Sequence, residues 1–251
     1  MPDFHSQSDR MIRIGVLVPF TNTNLEPDMM RMCPRGVSVH FTRIGGYPVD
    51  EIPASDQMQG MGEADISGAL QLIAGVRPDV VLYGCTSATL THGLDFDRDL
   101  AGRIKTAAGA RAITAAGAML AALRELGASK VGFASPYVGE VNTQAIRFLT
   151  DAGIEVVKYA DVGKALSNHE QGALTPDDVI NLAVRADCED AQAIVMACTD
   201  LRAVEAIRTI EAKLDKPVVT VNQAMIFSVV RELLPNAVVL KFGRLFDQLK
   251  R

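Results

Sequence analysis

The 251-residue sequence has no tryptophan, few aromatic residues (5%) and no long uninterrupted apolar run. Without about 18 consecutive apolar residues, no membrane-spanning helix is expected. The first residues, MPDFHSQSDRMIR, mix charged and polar types without an apolar core, which argues against a secretory signal. Basic runs are also missing and the net charge is −5, so we expect neither nucleic acid nor an anionic membrane as a partner.

Sequence motifs for cofactors and metals are missing as well. The sequence contains neither a GxxxxGK[ST] phosphate-binding loop nor the GxGxxG fingerprint of dinucleotide sites, and it lacks a GxSxG nucleophile elbow. The four histidines stand singly and the four cysteines form no CxxC pair, so no metal site is expected. We therefore expect chemistry carried by side chains alone, without a cofactor.

Four cysteines are too few for a disulfide framework in a chain of this length, which favours a reduced, cytoplasmic setting. In that setting a cysteine is either a buried apolar residue or a reagent. Cys33 precedes a proline in a loop and Cys188 lies in an acidic turn, so we interpret both as structural. Cys85 and Cys198 have a different sequence context.

Short β-branched runs alternate with longer amphipathic segments along the chain. Strands are predicted at Ile12–Pro19, Val37–Arg43, Val80–Gly84, Lys130–Ala134, Ile154–Tyr159, Ala193–Ala197 and Val218–Val221. Helices are predicted at Asp65–Gly75, Thr114–Leu126, Glu140–Asp151, Thr175–Ala186, Ala203–Leu214 and Gln223–Leu234. Several strand runs, such as VVLYG, are apolar throughout, which is typical of strands covered on both faces. This alternation predicts an α/β fold with mostly parallel sheets flanked by helices.

One sequence motif occurs twice. Pro78–Leu90 and Asp190–Val204 each contain an apolar strand, a small residue and then Cys-Thr. The two cysteines are separated by nearly half the chain length. We therefore predict two pseudo-symmetric α/β lobes with the active site in the cleft between them. The first lobe is residues 1–112 and the second is residues 113–251, whose final helix is a candidate to cross back to the first lobe.

Cys85 follows a strand that the sequence predicts to be buried, at the carboxyl edge where α/β sheets bind ligands. The amides of Thr86, Ser87 and Ala88 are expected to open a helix. The partial positive charge of a helix start lowers the pKa of a nearby thiol. The same amides, with the Thr86 and Ser87 hydroxyls, suit a substrate carboxylate. By itself, Cys85 is explained equally well as a small buried apolar residue.

Cys198 has similar surroundings, because Thr199 and Asp200 follow the second apolar strand and are expected to begin a helix. Thr199 is then placed like Thr86 for binding a substrate, and Asp200 is interpreted as a helix-start acid. Two thiols at matched positions would face each other across the cleft. One can then attack or abstract a proton while the other donates one on the opposite face of the same carbon.

Polar residues follow other predicted strands. Asn22 and Asn24 come after the first strand and suit a carboxylate oxygen, but asparagine also favours helix caps. Tyr137 follows the strand at Lys130–Ala134, so its phenol either reaches the cleft or packs in the core. Asn222 is as easily an N-cap as a ligand, and Glu26 is interpreted as a helix-start acid.

Six segments follow one another between residues 12 and 234: VPFTNTNLE, GCTSATL, SPYVGEVN, SNHEQGALTPDDV, ACTDLRA and PVVTVNQA. In this order they resemble the maleate cis-trans isomerases of the Asp/Glu racemase superfamily. That superfamily also contains arylmalonate decarboxylases and amino-acid and hydantoin racemases. The paired Cys-Thr turns are typical of the whole superfamily, whereas SPYVGEVN and SNHEQG narrow the resemblance to the maleate isomerases.

The resemblance implies that Cys85 is the nucleophile and that Cys198 is the second thiol, which donates or accepts a proton. It also implies that Asn22, Tyr137 and Asn168 bind the substrate carboxylates, although Asn168 alone would be interpreted as a turn residue. In such enzymes a thiolate adds to a double-bond carbon of maleate, the resulting single bond rotates, and thiolate departure gives fumarate. The resemblance further implies a homodimer or a higher homo-oligomer, and no cofactor.

The first strand end departs from the family pattern. PFTNTN stands where a more hydroxyl-rich run similar to PSSNTT is expected, so Phe20 and Asn24 replace small hydroxyl residues. This leaves room for a larger or less acidic substrate, and for a branch associated with ectoine utilisation. The alternative functions are a two-thiol racemase or epimerase, a decarboxylase, and a non-catalytic protein that binds small acids.

Overall fold

The computed structural model describes residues 10–47 and 51–250. Residues 1–9, most of the segment that argued against a secretory signal, lie outside these ranges. Within them, none of the helices is long and apolar enough to cross a membrane.

The described chain alternates between strands and helices. The strands are Ile12–Pro19 (β1), Val37–Ile44 (β2), Val80–Tyr83 (β3), Arg111–Thr114 (β4), Lys130–Ala134 (β5), Glu155–Ala160 (β6), Ala193–Met196 (β7) and Val218–Thr220 (β8). The helices are Leu25–Met32 (α1), Ser55–Glu63 (α2), Ser67–Ala74 (α3), Thr86–Leu90 (α4), Leu94–Ala108 (α5), Ala115–Glu125 (α6), Glu140–Asp151 (α7), Asn168–Gly172 (α8), Pro176–Ala186 (α9), Ala203–Leu214 (α10) and Val221–Leu233 (α11). A 3₁₀ helix follows at Arg244–Lys250.

The strands form two parallel four-stranded sheets with the same internal order. The first sheet is ordered β2-β1-β3-β4 and the second β6-β5-β7-β8, so each strand of the first has a counterpart four strands later in the chain. The predicted α/β fold with two pseudo-symmetric halves is confirmed. β3 and β7, which precede the two Cys-Thr turns, occupy equivalent positions.

Sequence patterns account for the central elements. All four residues of β3 and all four of β7 are buried, as expected for strands covered on both faces. The predicted start of α9 is confirmed, because the Thr175 hydroxyl accepts a hydrogen bond from Asp178 N and Pro176 occupies the first turn. Gly127 and Gly153 follow α6 and α7 with φ values of 65° and 83°, as expected for glycines that end helices.

Several elements differ from the prediction. Residues 111–114, which were interpreted as the boundary between the lobes, form β4, a strand too short and too polar at its start to stand out in the sequence. Helices α2, α5 and α8 were not predicted; α5 buries only Asp97, Leu100 and Ile104 of its 15 residues, so its apolar signal is weak. The boundary at residue 112/113 falls inside β4 and stays a prediction.

The two halves are joined through the helices that follow the fourth strand of each sheet. α6 and α11 pack against each other, and each starts at a threonine, Thr114 or Thr220, whose hydroxyl accepts a backbone hydrogen bond. Residues 221–230 of α11 are buried throughout. α11 also packs on α1 of the first half, where Asn222 Nδ2 donates to Asp28 Oδ2 at 2.8 Å. α11 therefore contacts both halves.

Candidate active site

A small cavity of about 50 Å³ lies between the two halves, at the carboxyl ends of the strands. From the first half it is lined by Asn22, Cys85, Thr86 and Ser87, and from the second by Tyr137, Asn168, Cys198 and Thr199. These are all eight residues that the sequence selected as candidate site residues. The cavity thus brings together residues as distant in the chain as Asn22 and Thr199, which are 177 positions apart.

Other lining residues were not selected as site residues from the sequence. They are Pro19, Phe20, Thr21, Tyr47, Met58, Met61, Gln171 and Asp200. Tyr47 follows the end of β2, so the rule that polar residues after parallel strands meet at one edge could have found it. Met58 and Met61 come from α2, which had no clear signal in the sequence. Phe20 forms an edge-to-face contact with Tyr47, with ring centroids 5.2 Å apart.

Cys85 is the N-cap residue of α4, which confirms that a helix begins after it. Its Sγ lies 3.7 Å from the Ser87 hydroxyl, and its side chain is buried. Burial raises the pKa of the Cys85 thiol, while the Ala88 amide and the Ser87 hydroxyl oppose that rise. The helix start lowers this pKa as expected, through the Ala88 amide, but desolvation of the thiolate outweighs that effect and the net shift is upward.

Cys198 follows β7 but does not open a helix. The chain makes a turn at Thr199 and Asp200, and α10 begins only at Ala203, so the predicted helix start is wrong. Burial raises the pKa of the Cys198 thiol to about 12, and the neighbouring charge of Asp200 is the next largest cause. Hydrogen bonds from Tyr137 and from the Asp200 amide oppose this rise, the latter with an N···Sγ distance of 3.4 Å.

The two threonines that follow the cysteines differ in their hydrogen bonds. The Thr86 hydroxyl is buried in the cavity wall and has no partner among the described residues. The Thr199 hydroxyl donates to the carbonyl oxygen of Gly84 at 2.8 Å and accepts from Asn22 Nδ2 at 3.0 Å. The Thr86 hydroxyl is therefore free to bind a ligand, whereas the Thr199 hydroxyl already ties the second cysteine turn to the first.

Asn22 and Asn24 hold the loop after β1. Asn22 lines the cavity, but its Oδ1 accepts hydrogen bonds from the amides of Asn24 and Leu25 at the start of α1. Asn24 Nδ2 donates to the carbonyl oxygens of Gly172 and Asp200, at 2.9 and 2.7 Å. Asn22 thus acts as a local helix cap as well as a wall of the cavity, and Asn24 connects the two halves.

Tyr137 and Asn168 enter the cavity from the second half. The Tyr137 phenol interacts with Cys198 and Ser87, and burial raises the pKa of Tyr137 well above its usual value. Asn168 Nδ2 donates to the Tyr47 hydroxyl at 2.6 Å, and burial raises the pKa of Tyr47 to about 12. Both phenols therefore remain neutral hydrogen-bond donors over the physiological pH range.

Asp200 and Asn222 have roles that their sequence positions did not indicate. Asp200 is not a helix-start acid, because its buried carboxylate accepts hydrogen bonds from the Thr23 and Asn24 amides of the opposite half. Asn222 is neither an N-cap nor a lining residue; its Nδ2 donates to Asp28 Oδ2 and to the carbonyl oxygen of Thr199. The contacts of Asp200 with Thr23 and Asn24, and of Asn222 with Asp28, connect the two halves, which the sequence does not specify.

The remaining candidates lie elsewhere. Glu26 sits in the first turn of α1, as interpreted, and forms an ion pair with Arg43 at 2.7 Å. Cys33 and Cys188 are half-buried, unpaired and outside the cavity. Within residues 10–47 and 51–250, no cluster of three or more His, Cys, Asp or Glu side chains is arranged to hold a metal ion.

The chain is similar in sequence to characterised maleate isomerases and to an arylmalonate decarboxylase. The maleate isomerase of Geobacillus stearothermophilus is 26% identical over 92% of this chain and 98% of its own length. The maleate isomerase of Pseudomonas putida is also 26% identical, over 95% of this chain and 98% of its own length. The arylmalonate decarboxylase of Bordetella bronchiseptica is 28% identical over a shorter region, 65% of this chain and 69% of its own length.

Solved structures share the fold. A maleate isomerase of Pseudomonas putida S16, crystallised with maleate as a cysteine-to-alanine variant, superposes with a TM-score of 0.86 at 24% identity, over 95% of this chain and 98% of the other. The Nocardia farcinica maleate cis-trans isomerase gives a TM-score of 0.85 at 24% identity, over 95% and 99% of the two chains. The family model for arylmalonate decarboxylase matches residues 14–246. The resemblance found in the sequence is thus confirmed, and the chain belongs to the arylmalonate decarboxylase family.

Proposed function

We propose that the protein is a cofactor-independent maleate cis-trans isomerase that uses Cys85 and Cys198. The observation that carries this proposal is the convergence of two free cysteines, from equivalent positions of two similar sheets, on one small cavity. Curated maleate isomerases align with more than nine-tenths of the chain. The related enzyme of Nocardia farcinica was captured with a covalently bound succinylcysteine intermediate, which is the product expected when a cysteine adds to maleate.

The size of the cavity favours a small substrate. Its volume of about 50 Å³ is well below the roughly 300–1,000 Å³ of pockets that take drug-sized ligands. An arylmalonate would have to place an aromatic ring as well as two carboxylates in this space. The cavity therefore supports a compact dicarboxylate better than the substrate after which the family is named.

The first step follows from the position of Cys85 at the start of α4. Its thiolate adds to one olefinic carbon of maleate, so a C–S bond forms and the π electrons move onto the adjacent carboxylate as an enediolate. The free Thr86 hydroxyl and the amides at the start of α4 suit the charge that develops on that carboxylate. Donors aimed at the developing charge are usually a large part of catalysis in such sites.

The second step uses the other thiol. Cys198 donates its proton to the neighbouring carbon, which gives a succinyl adduct whose central C–C bond is single and rotates. The Cys198 thiolate then removes a proton from the same carbon, the double bond re-forms, and the C–S bond to Cys85 breaks to release fumarate. Both thiols return to their starting states, so no net proton or electron is consumed.

Neutral donors would hold the second carboxylate. Burial keeps the Tyr137 phenol protonated, and Asn168 and Tyr47 form a hydrogen-bonded pair at the cavity wall. We assign carboxylate binding to Tyr137 and Asn168, with Ser87 and Asn22 completing the wall. Thr199 contributes chiefly through its position, because its hydroxyl proton is already shared with Gly84.

We further propose a reduced, cytoplasmic location and a homodimer or higher homo-oligomer. The location is supported by four cysteines that are all unpaired. The oligomeric state rests on the family resemblance and stays a prediction that size-exclusion chromatography with light scattering would check.

The proposed function is tested by incubating the protein with maleate and measuring fumarate by proton NMR. Wild type should convert maleate, and Cys85→Ser and Cys198→Ser should not. Cys188→Ser is the matched control, because this cysteine is half-buried and lies outside the cavity, and it should retain full activity. A wild type that leaves maleate unchanged would contradict the proposed substrate. Conversion that survives both cavity substitutions would contradict the two-thiol mechanism.

A further inference from the structure

We propose that Asp200 is a positioning residue that gives the two thiols different roles, because its buried negative charge beside Cys198 keeps that thiol protonated while Cys85 ionises first. The inference deepens the proposed function, on which its catalytic meaning rests. It depends on a difference between equivalent positions, since the residue two places after the cysteine is Ser87 in the first half and Asp200 in the second.

The Asp200 carboxylate is held by the opposite half of the protein. Its side chain is only 7% exposed, and Oδ1 accepts hydrogen bonds from Thr23 N at 2.8 Å, Asn24 N at 3.0 Å and Asn24 Nδ2 at 3.1 Å. These donors are neutral, so they fix the carboxylate in place without cancelling its charge. Burial raises the pKa of Asp200, and the four hydrogen bonds from Thr23 and Asn24 oppose that rise by stabilising the ionised form.

The carboxylate is also enclosed on its other side. A Cβ atom on Gly172 would lie 2.9 Å from Asp200 Oδ2, so α8 approaches Asp200 where it has no side chain. The amide of Asp200 donates to Cys198 Sγ at 3.4 Å, which fixes the thiol relative to the same residue. Asp200 therefore has little freedom to turn its charge away from the thiol.

The surroundings of the two thiols differ in charge. Cys85 has the Ser87 hydroxyl and the Ala88 amide beside it, both of which favour the thiolate. Cys198 has the Asp200 charge, which disfavours the thiolate and is the largest cause after burial of the raised pKa of Cys198. A like charge nearby typically raises the pKa of an acid, so the first proton should leave Cys85.

Other titratable groups face this pair. The Tyr137 phenol and the Cys85 thiol both interact with Cys198, and Tyr47 interacts with both thiols. Asp28 of α1 lies near Asp200, and Arg31 in turn lies near Asp28. Once Cys85 is ionised, its charge adds to that of Asp200 in holding the proton on Cys198. The two thiols therefore titrate as a coupled pair in which Asp200 sets the order.

The test measures the ionisation of Cys198 directly in the full chain. Alkylation of Cys198 by iodoacetamide is followed by peptide mass spectrometry from about pH 7 to about pH 11, in Cys85→Ser with and without Asp200→Asn. Asparagine keeps an acceptor oxygen for Thr23 and Asn24 but removes the charge. Removing the charge should lower the pKa of Cys198 by about one unit or more. At a fixed pH below the pKa of Cys198 in both variants, labelling should become about three- to fourfold faster for each unit by which that pKa falls. The fraction of thiolate rises more than the nucleophilicity of the thiolate declines.

Asp28→Asn in the same Cys85→Ser background is the matched control. It neutralises a second buried acid close to Asp200 and keeps an acceptor for Asn222. It should leave the Cys198 profile within about 0.3 pH units of its parent, since Asp28 is not among the main causes of the raised pKa of Cys198. An unchanged profile in Asp200→Asn, or an equal shift in Asp28→Asn, would overturn the proposal. If Asp200→Asn does not fold by circular dichroism, Asp200→Ser removes the charge and retains an oxygen, and the same criterion applies.

A second readout connects the charge to catalysis. With Cys85 intact, Asp200→Asn should move the alkaline limb of the pH–rate profile for maleate to lower pH, because Cys198 then loses its proton earlier. The labelling experiment needs no substrate. A wild type inactive on maleate would therefore contradict the proposed function and leave the labelling result to decide the role of Asp200.

Discussion

The two cysteine turns occupy the same place in two sheets of the same strand order, yet their surroundings are different. Cys85-Thr86-Ser87 enters helix α4 directly, whereas Cys198-Thr199-Asp200 makes a turn before α10. The Thr86 hydroxyl is free and the Thr199 hydroxyl is committed to Gly84. A neutral hydroxyl stands beside the first thiol and a carboxylate beside the second.

This difference would let a repeated backbone support the asymmetric reaction proposed above. The sheet order places the two thiols, but the one or two residues that follow each thiol determine what it can do. The first turn offers unpaired donors, which suit a nucleophile and the negative charge that it creates. The second turn is tied to the first half and carries a negative charge, which suits a thiol that must keep its proton until it is needed.

The largest expected effect comes from replacing each of the two thiols. Cys85→Ser and Cys198→Ser should each lower kcat for maleate by more than about 10³-fold, since losing one member of a catalytic pair removes most of its contribution. Only the Cys198→Ser variant keeps the nucleophile. Intact-protein mass spectrometry with maleate should therefore show a covalent adduct of one substrate on Cys198→Ser and none on Cys85→Ser. An adduct on the opposite variant would reverse the assignment.

The threonines provide a sharper test, with a smaller effect on activity. Thr86→Val should lower kcat/KM for maleate about 10- to 100-fold without loss of stability, because the free hydroxyl serves only the ligand. Thr199→Val should instead cost about 1–3 kcal/mol of unfolding free energy, because Gly84 O and Asn22 Nδ2 lose their shared partner. Urea unfolding would measure the stability of both variants, and steady-state kinetics would measure their kcat/KM for maleate. Equal losses of stability would contradict the contrast between the two turns.

The third test concerns the support behind the second turn. Asn222 Nδ2 donates hydrogen bonds both to Asp28 and to the carbonyl oxygen of Thr199. Burial raises the pKa of Asp28 to about 7. Between about pH 4 and pH 7 the folded protein keeps a proton that the unfolded chain releases, so this group's contribution to stability falls as pH rises and is constant above about pH 7. Wild type should lose about 2–4 kcal/mol of unfolding free energy through Asp28 between those pH limits, and Asp28→Asn should not show this loss.

The measurement is urea unfolding at about pH 5 and about pH 8 for wild type and Asp28→Asn. Other buried acids titrate in both proteins, so only the difference between the two pH dependences reports on Asp28. Parallel pH dependences would show that Asp28 is already ionised in the folded protein at the lower pH.

Much of the fold could be predicted from local patterns. β3 and β7 are short apolar runs followed by Cys-Thr, and that repetition alone indicated two similar halves. β4 could not be recognised, because RAIT has four residues and begins with arginine. Its identity as a strand depends on pairing with β3, which is a contact between distant residues.

The residues that line the cavity could be predicted better than their surroundings. Polar residues after strands were gathered correctly because carboxyl ends of parallel strands share one edge. The net rise in the pKa of Cys85 could not be predicted, because the burial that causes it depends on how distant parts of the chain pack around the thiol. Asp200 was assigned to a helix start because its true partners, Thr23 and Asn24, belong to the other half.

The hydrogen bond from the Thr199 hydroxyl to the carbonyl oxygen of Gly84 has a geometric consequence for turnover. It joins the residue after one thiol to the residue before the other, so the two cysteine turns are tied directly to each other. Maleate and fumarate differ in the span between their carboxylates, and this tie restrains the separation of the two thiols while that span changes. We therefore expect one carboxylate to stay bound while the other moves as the central bond of the substrate rotates.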